Sequence, residues 1–278
     1  MPSTTKLTKL FGVKNRRVVI TGGGGILCRS MAKALADLDA KVAVLDLNPD
    51  AAKAVADEIR KTGGTAIAVK ANVLERASLE AARDEVVKAF GGVDVLINGA
   101  GGNKKEATTS GTMPFFNMPP EALQFVFNLN LIGTVMPSQV FGKLMVEQKS
   151  GIILNISSMS AFRPLTNVAG YSAAKAAVSN FTQWLAVHMS QNYSKDIRDN
   201  AIAPGFFLTE QNRFLLTDEK TGQMTARGAR IIDHTPMGRY GDPEDLIGAV
   251  VWLLSDGAKF VHGTVVPIDG GFAAYSGV

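Results

Sequence analysis

A doubly wound α/β sheet is the fold class this sequence predicts, and three observations predict it. Short apolar runs alternate with amphipathic helical patterns from residue 17 onward. Four glycines, Gly22-Gly23-Gly24-Gly25, follow the first apolar run and open the first helical one. No shift in composition divides the 278 residues, which are 46% hydrophobic and 19% charged, so one domain over 1–278 accounts for the chain.

Residues 17–20, Arg-Val-Val-Ile, read as the first strand and 30–38 as an amphipathic helix. A strand at 41–47 and a helix at 50–61 come next, then a strand at 65–71 and a helix at 79–90. Residues 93–98 form a fourth strand. Apolar runs this short between helices mark strands buried on both faces, as in a parallel sheet. The stretch 101–120 contains Gly, Thr, Ser and three Pro and reads as a long loop. One helix is expected over 121–148, a strand at 151–156, a helix from Tyr171 to about Asn192 and a strand at 198–203. A second long irregular region covers 204–237. Pro243 starts the next helix, which continues through 246–254, and a strand at 264–268 closes the pattern. The two long segments, 101–120 and 206–237, are expected to form substrate loops.

The strand–glycine–helix junction has a physical meaning. Glycines there let backbone approach a diphosphate, and the helix N-terminus offers unpaired N–H groups at the positive end of its dipole. Asp46 ends the second strand, 25 residues after Thr21. A carboxylate at that spot accepts hydrogen bonds from a ribose 2′-OH and repels a 2′-phosphate. Together these features predict a Rossmann-type dinucleotide site that takes NAD(H) in preference to NADP(H).

Tyr171 and Lys175 stand four residues apart, so they share a helix face. That spacing alone fits a solvated face equally well. If the ammonium lies near the phenol, it should favour the phenolate and lower its pKa toward neutrality. Ser158 lies 13 residues before the tyrosine, at the end of a strand, and alternation points Ser157 the other way. Asn155 reads as a structural cap, and His188 as a helix-surface or interface residue.

The net charge is +4 and the pI about 9.1. The charges are mixed, and no basic stripe with a nucleic-acid motif is present, so no nucleic-acid partner is expected. The basic excess favours an anionic small-molecule substrate. No run of 18 apolar residues predicts a membrane span. A single cysteine excludes an intrachain disulfide. Residues 1–15 lack the apolar core of a secretory signal, and a cytoplasmic location is the expectation. Cys28, Asp94, His234 and His262 show no metal-ligand spacing, and no metal is expected.

In order along the chain stand Thr21-Gly22, Asn98-Gly99-Ala100-Gly101, Asn130, Asn155-Ile156-Ser157-Ser158, Tyr171-Ser-Ala-Ala-Lys175, Pro204-Gly205 and Asp269-Gly270-Gly271. At these spacings the chain resembles the short-chain dehydrogenase/reductase superfamily over nearly its whole length. The resemblance implies a catalytic tetrad of Asn130, Ser158, Tyr171 and Lys175. The tyrosine would supply the proton, the serine a hydrogen bond to the substrate oxygen, and Asn130 a water leading to Lys175. For the cofactor it implies Thr21, Gly22, Gly24, Gly25, Ile26, Leu27, Asp46, Leu47, Asn72, Val73, Asn98, Ala100, Gly101, Tyr171, Lys175, Pro204 and Gly205. It also implies a homo-tetramer or dimer. One departure is evident: Ile26 and Cys28 occupy the family's second and third glycine positions, so the helix should move outward or the turn change shape. Cys28 itself reads as a buried packing residue.

Within the superfamily, Gly22-Gly-Gly-Gly-Ile-Leu-Cys28, Gly101-Gly-Asn-Lys-Lys105, Ala203-Pro-Gly-Phe-Phe207 and the ending from Asp269 to Val278 resemble the D-mannonate oxidoreductase, or fructuronate reductase, subgroup. That resemblance implies hydride transfer between a nicotinamide and a sugar-acid carbonyl, D-fructuronate to D-mannonate. A gluconate 5-dehydrogenase or a 3-oxoacyl-carrier reductase is the alternative enzyme. A dinucleotide-binding sensor or scaffold without chemistry is the alternative of another class. A carboxylate substrate needs a cation. Lys104, Lys105, Arg163 and Arg213 are the candidates, with Gln211 and Asn212 for sugar hydroxyls.

Overall fold

Seven strands form one parallel sheet in this computed structural model, which describes residues 3–208, 216–217 and 222–277. They are β1 (Arg17–Thr21), β2 (Lys41–Asp46), β3 (Thr65–Lys70), β4 (Val95–Asn98), β5 (Gly151–Ile156), β6 (Ile197–Pro204) and β7 (Val265–Ile268). Their spatial order is β3-β2-β1-β4-β5-β6-β7. The order reverses between β1 and β4, and that switch point opens a crevice at the carboxyl ends of the strands.

The described helices are α1 (Ser3–Leu10), α2 (Ile26–Asp37), α3 (Pro49–Lys61), α4 (Arg76–Phe90), α5 (Pro120–Phe127), α6 (Gly133–Gln148), α7 (Ala169–Asn192), α8 (Ala226–Asp233) and α9 (Ile247–Leu254). Alternation along the strands splits the core between two faces. Val18 and Ile20 of β1 pack with α2, α3 and α9, while Val19 packs with α4, α6 and α7. All three residues are fully buried, which explains why the run is apolar without interruption. Each such side chain contributes about 1.5–3 kcal/mol on leaving water.

Three elements differ from the sequence reading. The continuous helix expected over 121–148 is two helices, α5 and α6, joined by a π-helical turn, Asn128–Ile132. Asn130 sits in that turn and its side-chain amide binds the Val126 carbonyl one turn back and the Gly102 backbone opposite. Helical periodicity persists through such a turn, so sequence does not reveal it. Helix α2 starts at Ile26, directly after Gly25 as its N-cap, four residues before the expected start. The expected irregular segment 204–237 contains α8. No helix among the described residues is long and apolar enough to cross a membrane.

Candidate active site

The backbone builds a cradle at the switch point. Thr21 and Asn98 are register partners, so β1 and β4 end level. The Thr21 hydroxyl accepts the N–H groups of Gly99 and Ala100 at 3.1 and 3.3 Å, which fastens the two strand ends together. Gly22 has φ +62°, and a Cβ there would lie 2.8 Å from the Ala100 Cα. The turn therefore needs glycine on both conformational and steric grounds. Beyond it, α2 presents its unpaired first-turn N–H groups. The resulting cleft of about 370 Å³ is lined by Gly22, Gly25, Ile26, Leu27, Asp46, Leu47, Val73, Ala100 and Gly101, with Cys28, Ala71, Gly99 and Leu129 besides. Asp46 accepts the Gly24 N–H at 3.0 Å and the Asn48 N–H at 2.9 Å. One carboxylate thereby braces the glycine turn and faces the cleft. This cradle, narrow where Cβ atoms are missing and rich in unpaired N–H groups, fits a dinucleotide.

Cys28 takes the packing role expected of it. It is buried, and burial followed by the charge of Asp46 pushes its thiol up to about 12, so it stays protonated. Its sulfur occupies space left at Gly99, just after β4: a Cβ on Gly99 would collide with Sγ and would lie 2.8 Å from the Thr21 carbonyl oxygen. The small residue expected in the helix is supplied instead by the loop that follows β4. Gly99→Ala is expected to cost about 1–3 kcal/mol by overpacking. In a Cys28→Ala background the same change should cost about 1 kcal/mol less, measured by denaturant unfolding as a double-mutant cycle.

The four tetrad candidates lie near one another at the same edge of the sheet. Ser158 follows β5 and caps the short turn Met159–Ala161, its Oγ accepting the Ser160 N–H at 3.1 Å. With a lone pair so used, its O–H remains available to donate toward Tyr171 or a ligand. Tyr171 lies on the first turn of α7 and packs against a small cluster of Ala107, Ala122, Leu123 and Val126. Lys175 is buried one turn on and donates to the Ile156 carbonyl at 2.7 Å. A Cβ on Gly101 would lie 2.7 Å from Asn130 Oδ1 and 3.3 Å from Lys175 Nζ, so the loop passes directly between them.

One electrostatic expectation is corrected. Burial raises the Tyr171 phenol above its usual value, opposed by the hydrogen bond from Ser158. Lys175 sits 5.6 Å from the ring centroid and is itself pulled down to about 8 by burial. Helical spacing brings the two side chains together, but desolvation outweighs the Ser158 hydrogen bond at the phenol and sets the direction at both groups. The Asn130 side-chain oxygen accepts the Gly102 N–H, and its NH2 group donates to the Gly102 and Val126 carbonyls. It locks the loop beside Lys175, and its NH2 group is fully used.

The remaining predicted residues divide. The Asn72 side chain accepts the Leu74 N–H and donates to Glu75 in the turn leading to α4, and its neighbours Ala71 and Val73 line the cleft instead. Asn98 is buried within the sheet, donating to Ser138 and Asn155. Pro204 ends β6, and Gly205 packs against the backbone of Asp269. Lys104 lies 5.2 Å over the Phe125 ring, and Lys105 opens an exposed turn. Arg163 donates Nε to the Ala273 carbonyl at 2.7 Å. Gln211, Asn212 and Arg213 lie outside the described residues.

Asn155, expected as a cap, is a cross-strand linker from Asn98 to Thr182 and Asp199. Asp199 escaped the sequence reading altogether. It is fully buried in β6, and burial raises its carboxyl well above the usual range. Its sequence signal is weak, because it stands between Arg198 and Asn200 near the start of a strand whose apolar run begins only at Ala201. Among the described residues, no group of three or more His, Cys, Asp or Glu side chains could hold a metal.

Comparison with known proteins agrees with this architecture. A family model described as enoyl-(acyl carrier protein) reductase matches residues 25–273. The uncharacterised oxidoreductase UxuB of Bacillus subtilis is 48% identical over 95% of this chain and 96% of its own. A crystal structure from Haemophilus influenzae with bound NAD, provisionally named a D-mannonate oxidoreductase, is 48% identical. It superposes with a TM-score of 0.90 over 96% of this chain and 98% of its own. A gluconate 5-dehydrogenase from Burkholderia cenocepacia, in complex with NADP and tartrate, is 30% identical with a TM-score of 0.86 over 97% and 99%. From the cleft, the ordered motifs and these relatives alike, the chain belongs to the short-chain dehydrogenase/reductase superfamily and is an oxidoreductase.

Proposed function

We propose that this protein is an NAD(H)-dependent sugar-acid oxidoreductase that interconverts D-fructuronate and D-mannonate. The observation that carries the reading is the gathering of Ser158, Tyr171 and Lys175 beside a dinucleotide cleft that ends in Asp46. When bound, the nicotinamide supplies or accepts the hydride. Tyr171 holds a phenolic proton, kept in place by burial, and delivers it to the carbonyl oxygen. Ser158, oriented by the Ser160 N–H, donates a hydrogen bond to the same oxygen. Lys175 keeps a positive charge beside the phenolate that forms, compensating it as it develops. Asn130 holds the loop at Gly101 and Gly102 against Lys175. The loops 101–120 and 206–237 would border the substrate. A dimer or tetramer is favoured by the exposed aromatic row on α7, where Trp184 is 56% exposed and stacks on His188 at 4.6 Å.

The test follows loss of NADH absorbance with D-fructuronate, 5-keto-D-gluconate and a 3-oxoacyl thioester, repeated with NADPH. D-fructuronate with NADH should give the highest kcat/KM. A higher value for either other substrate would replace the substrate assignment. Removing the carboxylate by Asp46→Ser should narrow the NADH over NADPH preference by about 10- to 100-fold, since a 2′-phosphate then meets no like charge. An unchanged preference would remove Asp46 from the cofactor assignment.

A further inference from the structure

The segment between Ser158 and Tyr171 carries a guanidinium whose placement is built by a turn distant in sequence. Arg163 lies five residues beyond Ser158, and its segment is tied to the Tyr171 helix where the Leu165 N–H donates to the Ser172 hydroxyl at 3.1 Å. Its Nε donates to the Ala273 carbonyl at 2.7 Å. The same residue's N–H donates to Asp269 Oδ2 at 2.8 Å, and Asp269 Oδ1 accepts the Gly271 N–H at 2.9 Å. A single relay thus runs from the Asp269 carboxylate through both backbone groups of Ala273 to Arg163. The turn is packed from its other side by Phe206, whose ring centroid lies 5.3 Å from that of Phe272. Gly205, just before Phe206, donates its N–H to Ile268 at 2.9 Å, which sets the whole cluster at the carboxyl edge of β6 and β7.

Only Nε of Arg163 is used in this relay. Its guanidinium takes part in none of the salt bridges among the described residues. The two Nη groups of a fork held by Nε are arranged to meet a carboxylate with two parallel bonds. We propose that the turn at 269–273 is the specificity element of this site: it holds Arg163 in position to grip the carboxylate of an anionic substrate. Arg163 is the binding group, and Asp269 is a positioning residue that acts through Ala273. This rests on the oxidoreductase reading above and adds the part of the molecule that selects an acid over a neutral sugar.

The test compares kcat/KM for a hexuronate carrying a keto group with kcat/KM for the matching neutral ketohexose, both with NADH. Arg163→Ala should lower the ratio of the two by about 10- to 100-fold, the usual weight of hydrogen bonds to a charged group. Arg163→Lys, which keeps the charge but loses the fork, should give an intermediate ratio. Asp269→Asn should lower the same ratio through KM for the acid, with kcat for the acid changed less than twofold. A ratio within twofold of wild type in either Arg163→Ala or Asp269→Asn overturns the proposal. If Asp269→Asn fails to fold, as judged by its melting transition, the two Arg163 variants alone decide. Absence of NADH oxidation with every carbonyl in wild-type enzyme would instead sink the oxidoreductase reading, so the two failures are distinct.

Discussion

Tyr171→Phe lowers kcat for carbonyl reduction by about two to four orders of magnitude while NADH affinity stays within about threefold of wild type. The change removes one oxygen from a ring that packs on Ala107, Ala122, Leu123 and Val126, so the packing is retained. What is lost is a proton donor whose placement no other residue repeats. Ser158 lies nearby, but an aliphatic hydroxyl is a far weaker acid than a phenol and is turned to hydrogen bonding. The raised phenol pKa strengthens the argument, because it keeps the proton on Tyr171 through the neutral range until a substrate oxygen takes it. Stopped-flow reduction and NADH fluorescence titration separate the two quantities. Activity of the Phe variant within tenfold of wild type would mean that another group delivers the proton.

The sheet was readable because its strands are buried on both faces and must be apolar throughout, as in Val18-Val19-Ile20. The glycine turn and Asp46 were readable because their chemistry is local to one strand–helix–strand unit. Other features depend on contacts far apart in sequence. Cys28 looked disruptive because its partner, Gly99, stands in the loop after β4, far along the chain. The spacing of Tyr171 and Lys175 was visible, but their desolvation depends on everything packed around them. The hold on Arg163 comes from a backbone carbonyl 110 residues away, and a carbonyl leaves no mark in a sequence. Asn130 was marked out by resemblance, yet neither its π turn nor its hydrogen bonds to Gly102 are encoded in periodicity.

Lys175 should give the enzyme its alkaline limit. Burial pulls its pKa down to about 8, so its positive charge is present at neutral pH and is lost above that value. Compensation of a developing phenolate requires the charged form, and kcat/KM for reduction is therefore expected to fall with unit slope above about pH 8. In Lys175→Arg the group stays protonated, and whatever activity remains should lose that limb. Lys175→Met should cost two or more orders of magnitude at pH 7 and also flatten the profile. Stability moves in the opposite sense. Between about pH 8 and pH 10 the unfolded chain holds the lysine proton while the folded chain has released it, so raising the pH favours folding. The lysine contributes on the order of 2–3 kcal/mol across that window in wild type and nothing in Lys175→Met. The Cys28 thiol ionises first in the unfolded chain above about pH 9 and subtracts from stability in both proteins. Above pH 10 the raised phenol of Tyr171 reverses the trend, since the unfolded tyrosine ionises first. Urea unfolding at pH 7.5 and pH 9.5 isolates the lysine contribution as the difference between the two proteins, since Cys28 is common to both. Equal pH dependence in the two would show that Lys175 is not desolvated, and the alkaline limb would then need another group.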